Sequence, residues 1–213
     1  LPHQPSKHKT TMKLAIASLI AGSAVAFTPP SLGRTSKTIS KAFTIDTIPG
    51  ALEPMGIWDP LGFATDADEA TLRKYREAEV THGRVAMLAA VGFLVGEAVE
   101  GSTFLFDSQI TGSAIDQFAQ VPVGYTLLLV GAIGFAELQR AKTGWVDPAD
   151  TKFDQPGQLK SEYYPGDIGF DPLGLMPEDP EELAIMQTKE LQNGRLAMLG
   201  AAGMLAQEAV NHQ

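Results

Sequence analysis

Beyond a leading apolar run from Leu14 to Ala26, hydrophobic residues gather into three blocks: Val85 to Gly96, Val121 to Ala136 and Leu196 to Gln207. The outer two follow polar stretches rich in Glu and Arg, so each reads as the apolar second half of a longer helix. Acidic helix-start signals precede them, at Thr65 to Thr71 and at Pro177 to Glu182. Ahead of each of these stands a turn, Asp59-Pro60-Leu61-Gly62 and Asp171-Pro172-Leu173-Gly174. The middle block is closed by Glu137-Leu138-Gln139-Arg140. The pattern predicts an all-α chain of three helices.

The outer helices are copies of one another. Glu79-Val80-Thr81-His82-Gly83-Arg84-Val85-Ala86-Met87-Leu88 aligns with Glu190-Leu191-Gln192-Asn193-Gly194-Arg195-Leu196-Ala197-Met198-Leu199 at an offset of 111. Gly96-Glu97-Ala98-Val99 falls on Gln207-Glu208-Ala209-Val210 at the same offset, and the two turns match at 112. A duplicated unit around an unduplicated middle helix accounts for this.

Length alone leaves the environment of these helices open. Val121 to Ala136 has no charge but reaches only the lower limit of a membrane-spanning length, and the outer blocks are shorter. A soluble helical core fits the hydropathy as well. Flanking charge tips the balance. Arg73, Lys74 and Arg76 precede the first helix, Arg140 and Lys142 follow the second, Lys160 and Lys189 precede the third, and Gly101 to Gln120 has no base. With helices alternating in direction, the bases fall on one side, as charge asymmetry across membranes predicts. Three spans are expected.

Composition narrows the chemistry. The chain has 213 residues, a net charge of −9 and no cysteine, which excludes disulfides, thiolate nucleophiles and cysteine-held metals. With 16 Lys plus Arg against 25 Asp plus Glu, it is no general nucleic-acid binder. Lys7, Lys9, Lys13, Arg34, Lys37 and Lys41 all precede the first acid, Asp46. In this leader, Met12-Lys13 and the apolar run end at Ala24-Val25-Ala26, a signal-peptidase pattern, and an acid-poor Ser/Thr stretch follows. The expected organisation is upstream sequence over 1–11, a signal peptide over 12–26, a transit-like segment over 27–45 and a three-helix domain over 46–213.

Charges at membrane depth are functional candidates, so Glu79, Arg84, Glu190 and Arg195 need partners. Glu79 and Arg84 lie five residues apart, about 140° around a helix, and meet poorly. A two-fold crossing of the repeats resolves this, with Glu79 on Arg195 and Glu190 on Arg84. Small residues Gly83, Ala86 and Ala90, with counterparts Gly194, Ala197 and Ala201, permit close backbone approach. A carboxylate that meets Arg through one oxygen keeps the other for a hard divalent cation such as Mg²⁺. Glu79 with His82, and Glu190 with Asn193, present donors three residues apart, and Gln207 lies about 40° off the Asn193 line. Such single donors suit a metal already held by a planar macrocycle.

The paired Glu-x-x-(His/Asn)-Gly-Arg-x-Ala-Met segments, their Asp-Pro-Leu-Gly turns and Glu137-x-x-Arg140 resemble the light-harvesting chlorophyll-binding superfamily over roughly Pro54 to Val210. The resemblance implies a chlorophyll a/b-binding-protein-like fold: integral to the membrane, with three transmembrane helices, the first and third crossed as a pseudo-two-fold repeat. It implies Glu79, His82, Glu137, Glu190, Asn193 and Gln207 as axial ligands to chlorophyll magnesium. Arg84, Arg195 and Arg140 are implied as their ionic partners, and Asp59 and Asp171 as the turns that hold carotenoid ring ends. A glutamine of the family's plant members has no clear match at Thr126-Leu127-Leu128-Leu129. The leader and the acidic, short-loop domain are similar to diatom fucoxanthin chlorophyll a/c proteins. Gly96 to Ser102 and Phe104 to Asp107 are similar to the stress-related, photoprotective branch. This implies chlorophyll a, chlorophyll c, fucoxanthin and diadinoxanthin or diatoxanthin as cofactors. The partners it implies are thylakoid lipids, other antenna subunits and a photosystem core, in a plastid thylakoid location with no small-molecule substrate. Glu97, Glu100, Asp107, Asp116 and Glu208 are then expected near an acidifying lumen, as pH-responsive groups or as solvated interfacial acids.

Two other readings stay open on the sequence. A pigment-poor assembly or protection factor of the same fold carries the same motif. Glu79-x-x-His82 with Glu137 and Glu190 is also similar to the ligand set of a carboxylate-bridged di-iron oxidase, although Asn193 stands where that site needs its second His.

Overall fold

A computed structural model describes residues 43–54, 56–100, 110–149 and 157–211. The leader up to residue 42 and Asp107 lie outside the described residues. Among the described residues, four helices follow one another: α1 (Glu69–Ala98), α2 (Ala114–Gln120), α3 (Val123–Gly144) and α4 (Pro180–Asn211). Three of them are the helices expected from the apolar blocks. The remaining one, α2, was absent from that expectation, because its seven residues are too short for a periodic pattern to register.

The acidic stretches start the long helices as capping chemistry requires. Asp68 accepts from the Thr71 backbone N–H at 3.2 Å, and Asp179 from that of Glu182 at 3.2 Å. Each satisfies one of the N–H groups that a first helical turn leaves unpaired. Pro122 precedes α3, so the apolar block at Val121 is cut from its helix and turned; α2 and α3 meet at a bend of 109°. By length and composition α1 can cross a membrane on its own, and α2 with α3 can do so only taken together across that bend.

The two longest helices cross at Gly83 and Gly194. A Cβ built on Gly83 would lie 3.0 Å from the Gly194 Cα, and one on Gly194 would lie 2.9 Å from the Gly83 Cα. Ala86 and Leu191, each three residues from a crossing glycine, are buried, as is Ala201 further along α4. By contrast, no described Cα of α1 or α4 comes within 8 Å of α3. What holds α3 lies at its C-terminal end. There Trp145 pairs with Leu159 in an isolated bridge, and Gly144 backs onto the Tyr163 ring, which a Cβ would meet at 2.8 Å.

The ends of the helices differ in charge. At one end Arg73 of α1 donates to the carbonyls of Ser161 (2.9 Å) and Tyr163, and Lys160 donates to the carbonyl of Lys142. At the other, α2 packs against the ends of α1 and α4. There Glu208, 9% exposed, accepts from the Ile115 N–H at 2.9 Å, and Glu100 accepts from the Gly112 N–H at 2.6 Å. Glu97 of α1 and Asp116 of α2 are exposed.

Candidate functional site

At the crossing, the ion pairs run between the repeats. Arg84 Nε lies 2.7 Å from Glu190 Oε1, and Arg195 Nε lies 2.8 Å from Glu79 Oε1. Each arginine also donates to a glycine carbonyl in the segment leading to a turn: Arg84 to Gly166 at 2.8 Å and Arg195 to Gly50 at 2.8 Å. Both glycines have positive φ, +89° and +113°, a region that glycine enters without penalty. Neither was anticipated from the sequence. The available signal was a glycine placed shortly before each Asp-Pro-Leu-Gly turn.

The two pairs are not equivalent. Glu79 Oε2 is taken by Arg76 at 3.1 Å, one turn earlier on the same helix. The counterpart of Arg76 is Gln187, which accepts from the Tyr164 hydroxyl at 3.2 Å instead.

Three residues beyond each glutamate, the two neutral candidates adopt the same arrangement. His82 Nδ1 lies 2.7 Å from the Ala78 carbonyl, and Asn193 Nδ2 lies 2.9 Å from the Lys189 carbonyl. A carbonyl only accepts, so Nδ1 donates, and in the neutral ring Nε2 is left with its lone pair. Asn193 likewise keeps Oδ1. Each exposed side chain is thus pinned by a bond four residues back, with one acceptor atom pointed away from that bond. This is the way a second hydrogen bond orients a metal-binding imidazole.

The surroundings are apolar. Leu88 and its counterpart Leu199 are 76% and 75% exposed, and Val85, Val91, Leu94 and Leu196 are exposed with them. Among the described residues, no three His, Asp or Glu side chains converge as a protein cage for a metal would require. The donors stand singly on apolar surface, which fits a metal brought in by a flat apolar ring and lacks the convergence that a di-iron centre demands.

The remaining candidates fall at separate places. Glu137 is exposed on α3, with Oε2 held by Arg140 NH2 at 2.8 Å and Nε at 3.0 Å. Gln207 is exposed near the end of α4. Asp59 accepts from the N–H groups of Phe63 (3.1 Å), Ala64 (2.7 Å) and Thr65 (3.2 Å), and Asp171 from Leu175 and Met176 at 3.0 Å each. Gly62 and Gly174 close these turns at φ +75° and +64°. The Ala64 N–H, first among several backbone donors, holds the Asp59 carboxyl below its ordinary range. Trp58, Leu61 and Phe63 stand exposed on the first turn, and Phe170, Leu173 and Leu175 stand exposed at the same positions of the second. Sequence reasoning also passed over Glu77, which is buried at 2% exposure; without a copy in the second repeat, it gave no repeat signal.

Comparison with known proteins identifies the family of the chain. The family described as "Chlorophyll A-B binding protein" matches residues 45–209. The chain is 51% identical over 166 residues to light-harvesting complex stress-related protein 3.2, chloroplastic, of Chlamydomonas reinhardtii, covering 76% of this chain and 63% of that protein. It thus spans a little under two thirds of that relative's length. It is 48% identical over 166 residues to a fucoxanthin-chlorophyll a-c binding protein, chloroplastic, of Isochrysis galbana, with 77% of each covered. A fucoxanthin-chlorophyll a-c binding protein, chloroplastic, of Trieres chinensis is 35% identical over 207 residues, covering 92% of this chain and 94% of that one.

Proposed function

Because the chain belongs to the chlorophyll A-B binding protein family, we propose that it is a light-harvesting antenna of the plastid thylakoid, binding chlorophyll a, chlorophyll c and fucoxanthin-type carotenoids. Bound pigment supplies light absorption and excitation transfer, toward a photosystem core and neighbouring antenna subunits or into heat. The observation that carries this reading is the matched pair His82 and Asn193, each with one acceptor atom held clear on an exposed apolar helix face. In this reading Glu79, Glu137, Glu190 and Gln207 are further axial ligands to magnesium. Arg84, Arg195 and Arg140 neutralise the carboxylates and keep one oxygen of each in place. Glu79 gives up its Arg76 contact to serve as a ligand, whereas at the matching place in the second repeat Gln187 turns to Tyr164.

The exposed Trp58 and Leu61, and Phe170 and Leu173, form two apolar shelves for carotenoid end rings, fixed by the Asp59 and Asp171 turns. We place α1, α2–α3 and α4 as three spans related by a pseudo-two-fold crossing. The gathering of Arg73, Lys142 and Lys160 at one end and of Glu100 and Glu208 at the other supports that orientation. Resemblance to the stress-related relatives adds a photoprotective role. Diadinoxanthin or diatoxanthin joins the pigment set on the same ground.

The test is to purify the protein in mild detergent, record its absorption spectrum, and separate and count the extracted pigments. Chlorophyll a with chlorophyll c and fucoxanthin in stoichiometric amounts is the expected result. A folded, colourless protein would overturn it and bring forward the pigment-poor assembly factor.

A further inference from the structure

Glu77 carries the most deeply buried large side chain among the described residues. A buried carboxylate is costly unless its lone pairs find donors. Here Oε1 meets Arg140 NH1 at 3.0 Å, and Oε2 accepts from the Tyr163 hydroxyl at 3.0 Å and the Gly166 N–H at 2.8 Å. Those donors come from α3 and from the segment before the second turn, so one carboxylate joins three parts of the chain.

Two lines of contact lead away from it. Arg140 uses its Nε and NH2 edge for Glu137, while NH1 is kept by Glu77 and by the Thr81 hydroxyl at 2.9 Å. Gly166, whose N–H reaches Glu77, turns its carbonyl to Arg84, and Arg84 in turn holds Glu190. A Cβ at Gly166 would lie 3.0 Å from Val80 Cγ1, so only glycine fits this place, at φ +89°. An unbroken line of ionic and hydrogen-bonded groups therefore runs Glu137, Arg140, Glu77, Gly166, Arg84, Glu190. The second repeat is built differently. Thr188 stands at the position matching Glu77 and bonds to its own helix at the Ala184 carbonyl, 2.8 Å away.

We propose that Glu77 is a positioning residue that sets Glu137 of α3 and Glu190 of α4 in fixed relation, so that the tetrapyrrole sites at those two carboxylates depend on it while the site at Glu79 does not. This rests on the pigment-binding reading above. The physical reason is the isolation of α3. No described Cα of α1 or α4 lies within 8 Å of it, so the Arg140 guanidinium is its polar tie to α1 at that level. Without the Glu77 charge, Arg140 follows α3, and Glu137 loses its fixed place. The Gly166 peptide loses its anchor as well, and Arg84 with it.

The experiment refolds the full chain with chlorophyll a, chlorophyll c and fucoxanthin in detergent as wild type, Glu77→Gln, Glu137→Gln, Glu190→Gln, Glu79→Gln and Glu77→Gln/Glu137→Gln. Chlorophyll per polypeptide and the visible circular-dichroism difference spectrum are recorded. Since the chain has no cysteine, spin labels at Leu88→Cys and Leu128→Cys report the separation of α1 and α3 independently of pigment. The expected result is that Glu77→Gln loses the bands lost in Glu137→Gln and Glu190→Gln, keeps those lost in Glu79→Gln, and broadens the label distances. The double variant then loses no more at the Glu137 bands than Glu137→Gln does.

If Glu137→Gln and Glu190→Gln lose chlorophyll but Glu77→Gln keeps the wild-type complement and spectrum, the proposal is wrong and the pigment reading stands. If neither of those ligand variants loses chlorophyll, the ligand reading itself fails and takes the proposal with it. Should Glu77→Gln bind no pigment, Glu77→Asp, which keeps the charge, decides. Recovery of the Glu137 and Glu190 bands supports the proposal, and loss of all pigment here too assigns Glu77 to the fold as a whole and overturns it.

Discussion

The crossing of α1 with α4 and the attachment of α3 show two ways of holding a helix. At the crossing, Gly83 and Gly194 let the backbones touch, and two reciprocal ion pairs bind the helices across the contact. Helix α3 lacks such a neighbour among the described residues; positions 127–139 are exposed throughout, and its ties gather toward its C-terminal end, among them Arg140 with Glu77 and the Gly144 contact with Tyr163. The first arrangement is complete in protein atoms alone. The second leaves an apolar helix whose surface no described part of this chain covers, and pigment and lipid would cover it in the reading proposed above. The crossed pair is therefore the frame, and α3 is a hung element, ordered by what fills the gap.

The largest effect is expected at the ion pairs of the frame. Arg195→Leu leaves Glu79 short of its cross-helix partner and the Gly50 carbonyl without its donor. The pair is part-buried on a helix face that lipid and pigment would cover in the reading proposed above, so loss of one partner strands a charge at membrane depth, and we expect a sharp fall in the yield of refolded, pigment-loaded protein. Exchanging charges in Arg84→Glu/Glu190→Arg should recover part of the yield that either single change loses.

Next is Gly83→Ala. The new methyl would meet the Gly194 backbone, which no rotamer can move aside, so the helices must part; overpacking of this kind costs about 1 to 3 kcal/mol. A lowered melting temperature followed by the helical circular-dichroism signal checks it, with Gly92→Ala, where a Cβ meets nothing within 4 Å, as the neutral control.

A smaller change tests the hung helix. Tyr163→Phe removes one hydrogen bond to Glu77 while keeping the ring against Gly144, at a cost of about 1 to 2 kcal/mol. Amide hydrogen exchange should quicken in α3 and leave the α1–α4 crossing unchanged. Uniform acceleration across all three long helices would contradict the division into frame and hung element.

Titration gives the mildest probe. Burial, reinforced by the Glu77 carboxylate, raises the Tyr163 phenol above its ordinary value of 10.0. Its proton is therefore kept longer in the folded than in the unfolded chain. This contribution to stability is whole below pH 10 and declines as pH rises from there toward the folded value. Asp59 works in the opposite sense: its lowered carboxyl contributes above the ordinary value of 3.8, and the contribution fades as pH falls below it. Melting temperatures of wild type, Tyr163→Phe and Asp59→Asn across pH should converge at the alkaline end for the first variant and at the acid end for the second.

Much of the frame was legible along the chain because it is written twice. The offset of 111 marked the matching helices, and the Asp68 and Asp179 caps fell within the acidic stretches read as helix starts. The angular argument against Glu79 meeting Arg84 on one helix pointed to the cross-pairs now seen at 2.7 and 2.8 Å. Local chemistry suffices for such features, since caps, turns and helical faces depend on neighbours a few residues away. Helix α2 escaped notice because seven residues span too few turns to show a period, and the segment around it is tied to Glu208 and Glu100 from outside the helix.

Glu77, Gly50 and Gly166 were beyond reach for a related reason. On the sequence Glu77 is one acid among several in a polar helical segment, and nothing local separates it from a solvated residue. Only the fold brings Arg140, Tyr163 and Gly166 to it from 63, 86 and 89 residues away. The repeat, the helix starts, the turns and the charges that must cross-pair could all be had from the order of residues, because they follow from periodicity and short-range bonding. Which acid is buried, which glycine carbonyls receive the arginines and how loosely α3 is held came with the folded chain, because burial is set by what distant segments bring, and no local pattern encodes it.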